Sequence, residues 1–159
     1  MPEHNPYAPP LAEVADVTTG EAAPALWNPN AASSWSLLFS PIFGAYLHMK
    51  NWQALGQPEK AAQCKNWVVG LIGFFVLAVL APFLIKNVAI VEGLGRFGGF
   101  ALLITWYYSI GKSQQTYVFG RFGKSYPRRG WTLPLLAAVG VFATFVAVVV
   151  VFAMILGAA

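Results

Sequence analysis

Residues 66–85 read NWVVGLIGFFVLAVLAPFLI, a run of twenty uncharged residues between Lys65 and Lys86. As an α-helix with a rise of about 1.5 Å per residue, the run is about 30 Å long, which is the thickness of the hydrocarbon core of a bilayer. It predicts one complete membrane span. Pro82 falls in the last turn, where neighbouring helices can satisfy the carbonyl that it frees.

The composition of the whole chain agrees with this span. Of its 159 residues, 57% are hydrophobic and 10% are charged, against about a quarter charged in ordinary globular domains. The apolar segments also lack the alternation of polar and apolar residues that is typical of barrel strands, so helices are favoured. We therefore predict an all-α integral membrane protein, with residues 31–159 as a single polytopic membrane domain.

Two further spans are predicted at residues 133–156 and at residues 90–110. The first is uncharged throughout, whereas the second has only fifteen uncharged residues after Arg96 and must include Glu92 to reach across a bilayer. Glu92 and Arg96 stand four residues apart with the acid first, the favourable order for a helical ion pair. They are a candidate intramembrane charge pair, and the alternative is an interfacial pair exposed to solvent.

The distribution of Lys and Arg predicts the orientation. A candidate basic patch lies between the last two predicted spans, where there is no acidic residue; it consists of Lys112, Arg121, Lys124, Arg128 and Arg129. Further lysines precede the first span, so both basic connections are expected in the cytoplasm and the C-terminus in the periplasm of a bacterial host. An aromatic belt is expected at the same interface, formed by Trp67, Trp106, Tyr107, Tyr108 and Trp131.

The first thirty residues are rich in Pro and Ala and carry four acidic residues without any Lys or Arg. We expect residues 1–30 to be a mobile tail, because such a composition has little to bury. The tail also lacks the basic and apolar regions of a cleavable signal peptide.

Residues 35–52, WSLLFSPIFGAYLHMKNW, are apolar but too short for an ordinary span. The segment at about residues 35–49 is either a short fourth membrane helix or a re-entrant hairpin, in which FSP ends one helix after Phe39 and Pro41 begins the next with Ser40 as its cap. His48 is expected as an imidazole at the membrane interface. The candidate hairpin residues are Trp35, Ser40, Pro41, Gly44 and His48.

The wider stretch WNPNAASSWSLLFSPIFGAYLHMKNWQALGQPEKA, residues 27–61, resembles the leading segment of small bacterial inner-membrane proteins. Some of those proteins are associated with polymorphic toxins as immunity proteins. The resemblance implies a role in neutralising a toxin, and it assigns no functional residue.

Catalytic and metal-binding patterns are not found in this sequence. The two histidines, His4 and His48, are far apart, Cys64 is the single cysteine, and no H-E-x-x-H motif occurs. No pair of carboxylates falls in the membrane segments, so acid–base catalysis of the glycosidase type is not expected either. We predict no enzyme activity, no cofactor and no metal, and we assign the net charge of +4 to topology and lipid headgroups rather than to nucleic acid.

Three functional hypotheses remain. The first is a non-enzymatic protein that binds another protein, an immunity protein against a membrane-inserting or pore-forming toxin. The second is a small transporter or channel subunit that uses Glu92 and Arg96, and the third is an assembly scaffold for a membrane complex. The expected partners are membrane lipids and a protein, either a toxin or a membrane complex, and homo-oligomerisation stays open.

Overall fold

The computed structural model describes residues 22–157. Within this range the chain forms five helices, which we number in chain order. They are α1, Pro29–Phe39; α2, Pro41–Ala54; α3, Pro58–Leu84; α4, Val88–Phe122; and α5, Thr132–Gly157. Helix α4 is continuous but contains two π-helical turns, at Leu94–Gly98 and Tyr107–Gly111. The predicted all-α architecture is confirmed for the described residues.

Three of the helices begin with a proline. Pro29, Pro41 and Pro58 start α1, α2 and α3, because the fixed φ of proline suits the first helical position and its missing N–H has no partner there anyway. At the start of α1, the side chain of Asn28 accepts hydrogen bonds from the backbone N–H groups of Asn30 and Ala31 at 3.0 and 3.4 Å. This is an Asn cap of the usual kind.

Three helices are long and apolar enough to cross a bilayer: Pro58–Leu84, Val88–Phe122 and Thr132–Met154. They correspond to the three spans predicted at residues 66–85, 90–110 and 133–156, and they indicate a multi-pass membrane protein. Helix α3 begins eight residues before the predicted start of its span, and α4 continues twelve residues past Ile110. The extension of α4 is stabilised by packing, since Gln114 and Val118 within it are fully buried.

Helices α1 and α2 form a hairpin at the FSP sequence. Helix α1 ends at Phe39 and α2 begins at Pro41, as the sequence predicts. With 11 and 14 residues, the two helices are about 16 and 21 Å long, so neither reaches across about 30 Å of hydrocarbon. The predicted side-chain cap is wrong, because the Ser40 hydroxyl makes no capping hydrogen bond.

Both open ends of the hairpin lie at the basic end of the long helices. Leu26, just before α1, pairs with the connection between α4 and α5: its N–H donates to the Pro127 carbonyl at 3.0 Å, and its carbonyl accepts from the Arg129 N–H at 2.9 Å. Helix α2 ends at Ala54, a few residues before α3 begins. The segment before α1 and the start of α3 are therefore on the same side.

The buried core is concentrated at this basic end. Its largest fully buried side chains include Trp52, Trp106, Leu47 and Leu71, contributed by α2, α3 and the second half of α4. The outer halves of the long helices contribute little, and every residue of α5 from 139 to 154 is exposed. The structure thus has a packed base and three apolar helices that extend from it.

Candidate functional site

A buried polar junction holds the hairpin against the rest of the chain. The side chain of Asn51, which is 1% exposed, accepts a hydrogen bond from the Trp27 N–H at 3.0 Å and donates to the Trp27 carbonyl at 2.8 Å. Its amide also donates to Oε1 of Gln114 at 3.1 Å. One amide therefore joins α2, α4 and the segment before α1.

Gln114 completes this junction from α4. It is fully buried, and its Nε2 donates to the backbone carbonyl of His48 at 2.8 Å. Because Gln114 accepts from Asn51 and donates to His48 one helical turn earlier on α2, its amide orientation is fixed by two partners. The junction positions α2 against the part of α4 beyond Ile110, which the sequence predicts as a basic connection.

The prediction that the imidazole of His48 lies at the membrane interface is wrong. Its side chain is 0% exposed, and its Nε2 lies 3.3 Å from the hydroxyl of Ser33, which also accepts from Gln115 at 3.3 Å. Its ring meets Trp106 edge-on, with 5.5 Å between centroids. Among the described residues, three buried side-chain atoms have no hydrogen-bond partner: Nδ1 of His48, Nε1 of Trp106 and the hydroxyl of Tyr126.

Burial keeps His48 neutral. Desolvation by burial lowers the pKa of its imidazole from 6.5 to about 4, and the nearby Pro29 backbone opposes this with a smaller effect. Helix α2 lies outside the three candidate spans. The group is therefore an uncharged imidazole at neutral pH, suited to packing and hydrogen bonding.

Acidification is expected to destabilise the base through His48. In the unfolded chain the imidazole takes up a proton below pH 6.5, whereas in the folded chain it stays neutral down to about pH 4. The unfolded state then binds more protons, so the free energy of unfolding should fall by about 2 kcal/mol between pH 7 and pH 5. Thermal or denaturant unfolding in detergent at the two pH values measures this change. A His48→Gln variant should lose most of the slope, and an unchanged slope in that variant would contradict the assignment.

The tip of the hairpin is strained. Ser40 has a φ of 152° and a ψ of 161°, a region that residues other than glycine rarely adopt. Ser40→Gly should therefore raise the free energy of unfolding by about 1 kcal/mol, which thermal unfolding in detergent can measure. Ser40→Ala is the matched control, because alanine keeps the Cβ; equal effects of the two substitutions would show that the backbone is not strained.

Gly44 allows a close approach between the two hairpin helices. A Cβ at this position would collide with the Ser36 hydroxyl of α1 and would lie 2.5 Å from Cη2 of Trp106. Ser36 and Trp106 are both buried, so neither can move into solvent. Of the predicted hairpin residues, Gly44 and His48 thus face the base, Ser40 and Pro41 form the tip, and Trp35 is partly exposed and stacks near Phe39 at 5.8 Å.

An apolar groove of about 930 Å³ lies between the hairpin and the three long helices. Its walls are formed by the hairpin tip, by Ile72 and Phe75 of α3, by Phe100 and Leu103 of α4, and by one face of α5. Such a volume is at the upper end of those of small-molecule sites. No pattern in the sequence predicts this groove.

The structure separates the predicted basic patch into two groups. Lys112 lies over the ring of Tyr108 at 5.8 Å, and Arg121 donates to the Tyr117 hydroxyl at 3.0 Å, both on α4. The remaining residues, Lys124, Arg128 and Arg129, are exposed in the connection to α5. The guanidinium of Arg129 stacks on Trp27 at 4.7 Å, and the Trp27 indole donates to the Gly130 carbonyl at 3.0 Å. The Arg129 guanidinium therefore lies beside Trp27, a residue that lines the groove.

Glu92 and Arg96 do not form an ion pair in the described part of the chain. Both side chains are exposed, and within residues 22–157 no salt bridge connects them. A π-helical turn begins at Leu94, between the two residues, so the four-residue spacing no longer places them one above the other as in an α-helix. The predicted ion pair is therefore corrected to two separate exposed charges.

The prediction that Trp106 belongs to the interfacial aromatic belt is also wrong. It is fully buried in the base, where it packs against His48 and fills the space above Gly44. Tyr108, which is 67% exposed, does face outward. Neighbouring aromatic residues of α4 therefore divide between core and surface.

The geometry defines an α-helical, multi-pass membrane protein with a packed polar base and an apolar groove. Within the described residues, no group of three or more His, Cys, Asp or Glu side chains is placed to hold a metal ion. Comparison of the chain with protein-family models, with curated proteins and with solved structures gives no match.

Proposed function

We propose that this chain is a non-enzymatic protein of a bacterial inner membrane that acts by binding another membrane protein. The role that we assign to it is that of an immunity protein, which neutralises a membrane-inserting or pore-forming toxin. The resemblance of residues 27–61 to small inner-membrane proteins favours this role, and the arrangement of α5 supports a protein partner.

Helix α5 is the observation that carries the proposal. It is anchored at its start, where Trp27 bonds to Gly130 and the loop pairs with Leu26, and all of its residues from 139 to 154 are exposed. An isolated helix is stable in a bilayer because it satisfies its own backbone hydrogen bonds. Its faces then remain free for van der Waals packing with a helix of another protein, the interaction that drives association in lipid.

The proposed topology places the base at the cytoplasmic face. The hairpin enters the membrane from this face and returns to it, because both of its open ends are joined to the basic connections. The backbone carbonyl of Ser40 accepts a hydrogen bond from the Phe43 N–H at 3.1 Å, and irregular backbone within a bilayer requires such a partner. A cysteine at Ser125 should react with an impermeant thiol reagent only after the cytoplasmic side is opened, and one at Lys86 should react from outside. The reverse pattern would contradict this orientation.

The experiment that tests partner binding is photo-crosslinking in the native membrane. A benzophenone amino acid replaces Phe152 of α5, and the matched control carries it at Phe83 of α3. Both side chains are 55% exposed and lie toward the ends of their helices away from the base. We expect a membrane protein to be captured from position 152 in preference to position 83, and mass spectrometry identifies it. Adducts with lipid alone from both positions would contradict the proposal.

Charge substitutions separate this proposal from transport. If the chain acts by binding a toxin, Glu92→Gln and Arg96→Gln should leave protection of cells against that toxin unchanged, because the proposed contact surface is the uncharged outer part of α5. If the chain carries a solute, the same variants should lose flux in liposomes. The same variants are assayed in cells for protection and in liposomes for flux, and the two hypotheses predict opposite patterns.

A further inference from the structure

The depth of the apolar groove matches one leaflet of a bilayer. On α5 its lining runs from Leu133 to Phe145, which is about 18 Å along a helix axis, whereas half of the hydrocarbon core is about 15 Å thick. At the basic end the groove reaches Trp27, and at the other end it reaches the hairpin tip at Phe39 and Ser40. The groove lining thus extends from the base to the hairpin tip.

The walls of the groove suit hydrocarbon. Pro134, Ala138, Phe142 and Phe145 contribute one face of α5, spaced three or four residues apart, and Phe75 belongs to the opposite side. The small side chain of Ala138 leaves space between the larger rings. A partner helix that crosses the membrane needs about 30 Å of contact surface, so a groove of this depth fits a chain that belongs to one leaflet.

The rim of the groove is cationic. Arg129 stacks on Trp27, which lines the groove, and Arg128 stacks on Tyr126 at 5.7 Å and donates to the Lys124 carbonyl at 3.3 Å. These contacts fix the Arg129 guanidinium beside a groove residue and the Arg128 guanidinium in the connection that precedes α5. No acidic residue follows Glu92 in the sequence, so the rim has no neighbouring acid on α5 or on its connection. Such a rim attracts an anionic headgroup.

We propose that the groove binds one anionic phospholipid of the leaflet next to the base. Its acyl chains lie against Ala138 and Phe142 of α5 and against the hairpin tip, and its phosphate lies at Arg128 and Arg129. This lipid fills the space between α5 and the other long helices, and it leaves the outer half of α5 uncovered. The inference does not depend on the proposed function, because the groove lining on α5 ends at Phe145, whereas the crosslinking position Phe152 lies two turns beyond it.

The test uses the full chain in nanodiscs that contain equal amounts of phosphatidylglycerol and phosphatidylcholine, followed by native mass spectrometry of the released protein. The wild-type chain should retain one phosphatidylglycerol. Ala138→Trp fills the groove and should reduce the retained fraction about tenfold. Ala143→Trp is the matched control on the same helix, outside the groove lining, and should retain the lipid. Equal retention by the two variants would overturn the proposal.

The headgroup is tested separately. Replacing Arg128 and Arg129 together by Gln should abolish the preference for phosphatidylglycerol over phosphatidylcholine, whereas Lys86→Gln, beyond the other end of α3, should leave the preference intact. Thermal unfolding of each variant verifies that it is folded. A wild-type chain that retains both lipids equally, or that retains a second copy of itself or a peptide in place of lipid, would overturn the proposal.

Discussion

Asn51→Leu is expected to lower the free energy of unfolding by about 3 kcal/mol, because the substitution leaves three hydrogen-bonding groups without their partner. They are the N–H and carbonyl of Trp27 and Oε1 of Gln114, which Asn51 contacts at 3.0, 2.8 and 3.1 Å. Leucine has the same number of side-chain heavy atoms as asparagine and the same branching at Cγ, so the main change is the loss of the hydrogen bonds. Denaturant titration in mixed lipid–detergent micelles measures the change.

Gln53→Leu is the matched control for this prediction. Gln53 is an exposed residue on the same helix, two positions away, and its replacement should change stability by less than about 0.5 kcal/mol. Asn51→Asp should be nearly as damaging as Asn51→Leu, since a carboxylate keeps the acceptor but cannot donate to Trp27 or Gln114. If Asn51→Leu and Gln53→Leu behave alike, the junction does not hold the hairpin.

Gly44→Ala is expected to destabilise the chain by about 3 kcal/mol, although it adds a single methyl group. The new Cβ collides with the Ser36 hydroxyl and lies 2.5 Å from a ring atom of Trp106. Because both neighbours are buried, α1 and α2 must separate or the Trp106 ring must leave its place. Loss of the cooperative thermal transition, together with a change in Trp fluorescence, reports the effect.

The same substitution at Gly73 provides the control. A Cβ there meets nothing within 4 Å, and alanine is a better helix former than glycine, so Gly73→Ala should be neutral or stabilising by up to about 1 kcal/mol. Similar destabilisation at both positions would mean that the close approach at Gly44 does not limit the hairpin.

Length and hydrophobicity were sufficient to predict the three long helices, because in a bilayer these properties decide where a helix crosses. The break at FSP was also predictable, since proline both ends one helix and starts the next. The ends of the helices were harder to predict from the sequence. The last turns of α4 carry Lys112 and Arg121 and read as a basic loop, yet they are helical because Gln114 and Val118 pack against other parts of the base.

The polar junction was not predictable from local sequence. Asn51 and Gln114 are 63 positions apart, and Trp27 is 24 positions from Asn51. Nothing in the neighbourhood of either amide identifies its partner. His48 follows an apolar stretch, and this position predicts a side chain that reaches toward water. Tertiary packing instead buries it against Ser33 and Trp106. The π-helical turn between Glu92 and Arg96 likewise has no simple sequence signal.

The pairing of Leu26 with residues 127–129 has a consequence for biosynthesis. The segment before α1 leaves the ribosome about a hundred residues ahead of the loop to which it bonds. Until that loop and Gln114 emerge, the hairpin can contact α3. It still lacks the hydrogen bonds of Leu26 with residues 127–129 and of Asn51 with Gln114. The N-terminal segment must therefore be kept on the same side of the membrane while two long helices insert. A chain truncated after Leu84 should hold this segment loosely, and protease should cleave it near Leu26.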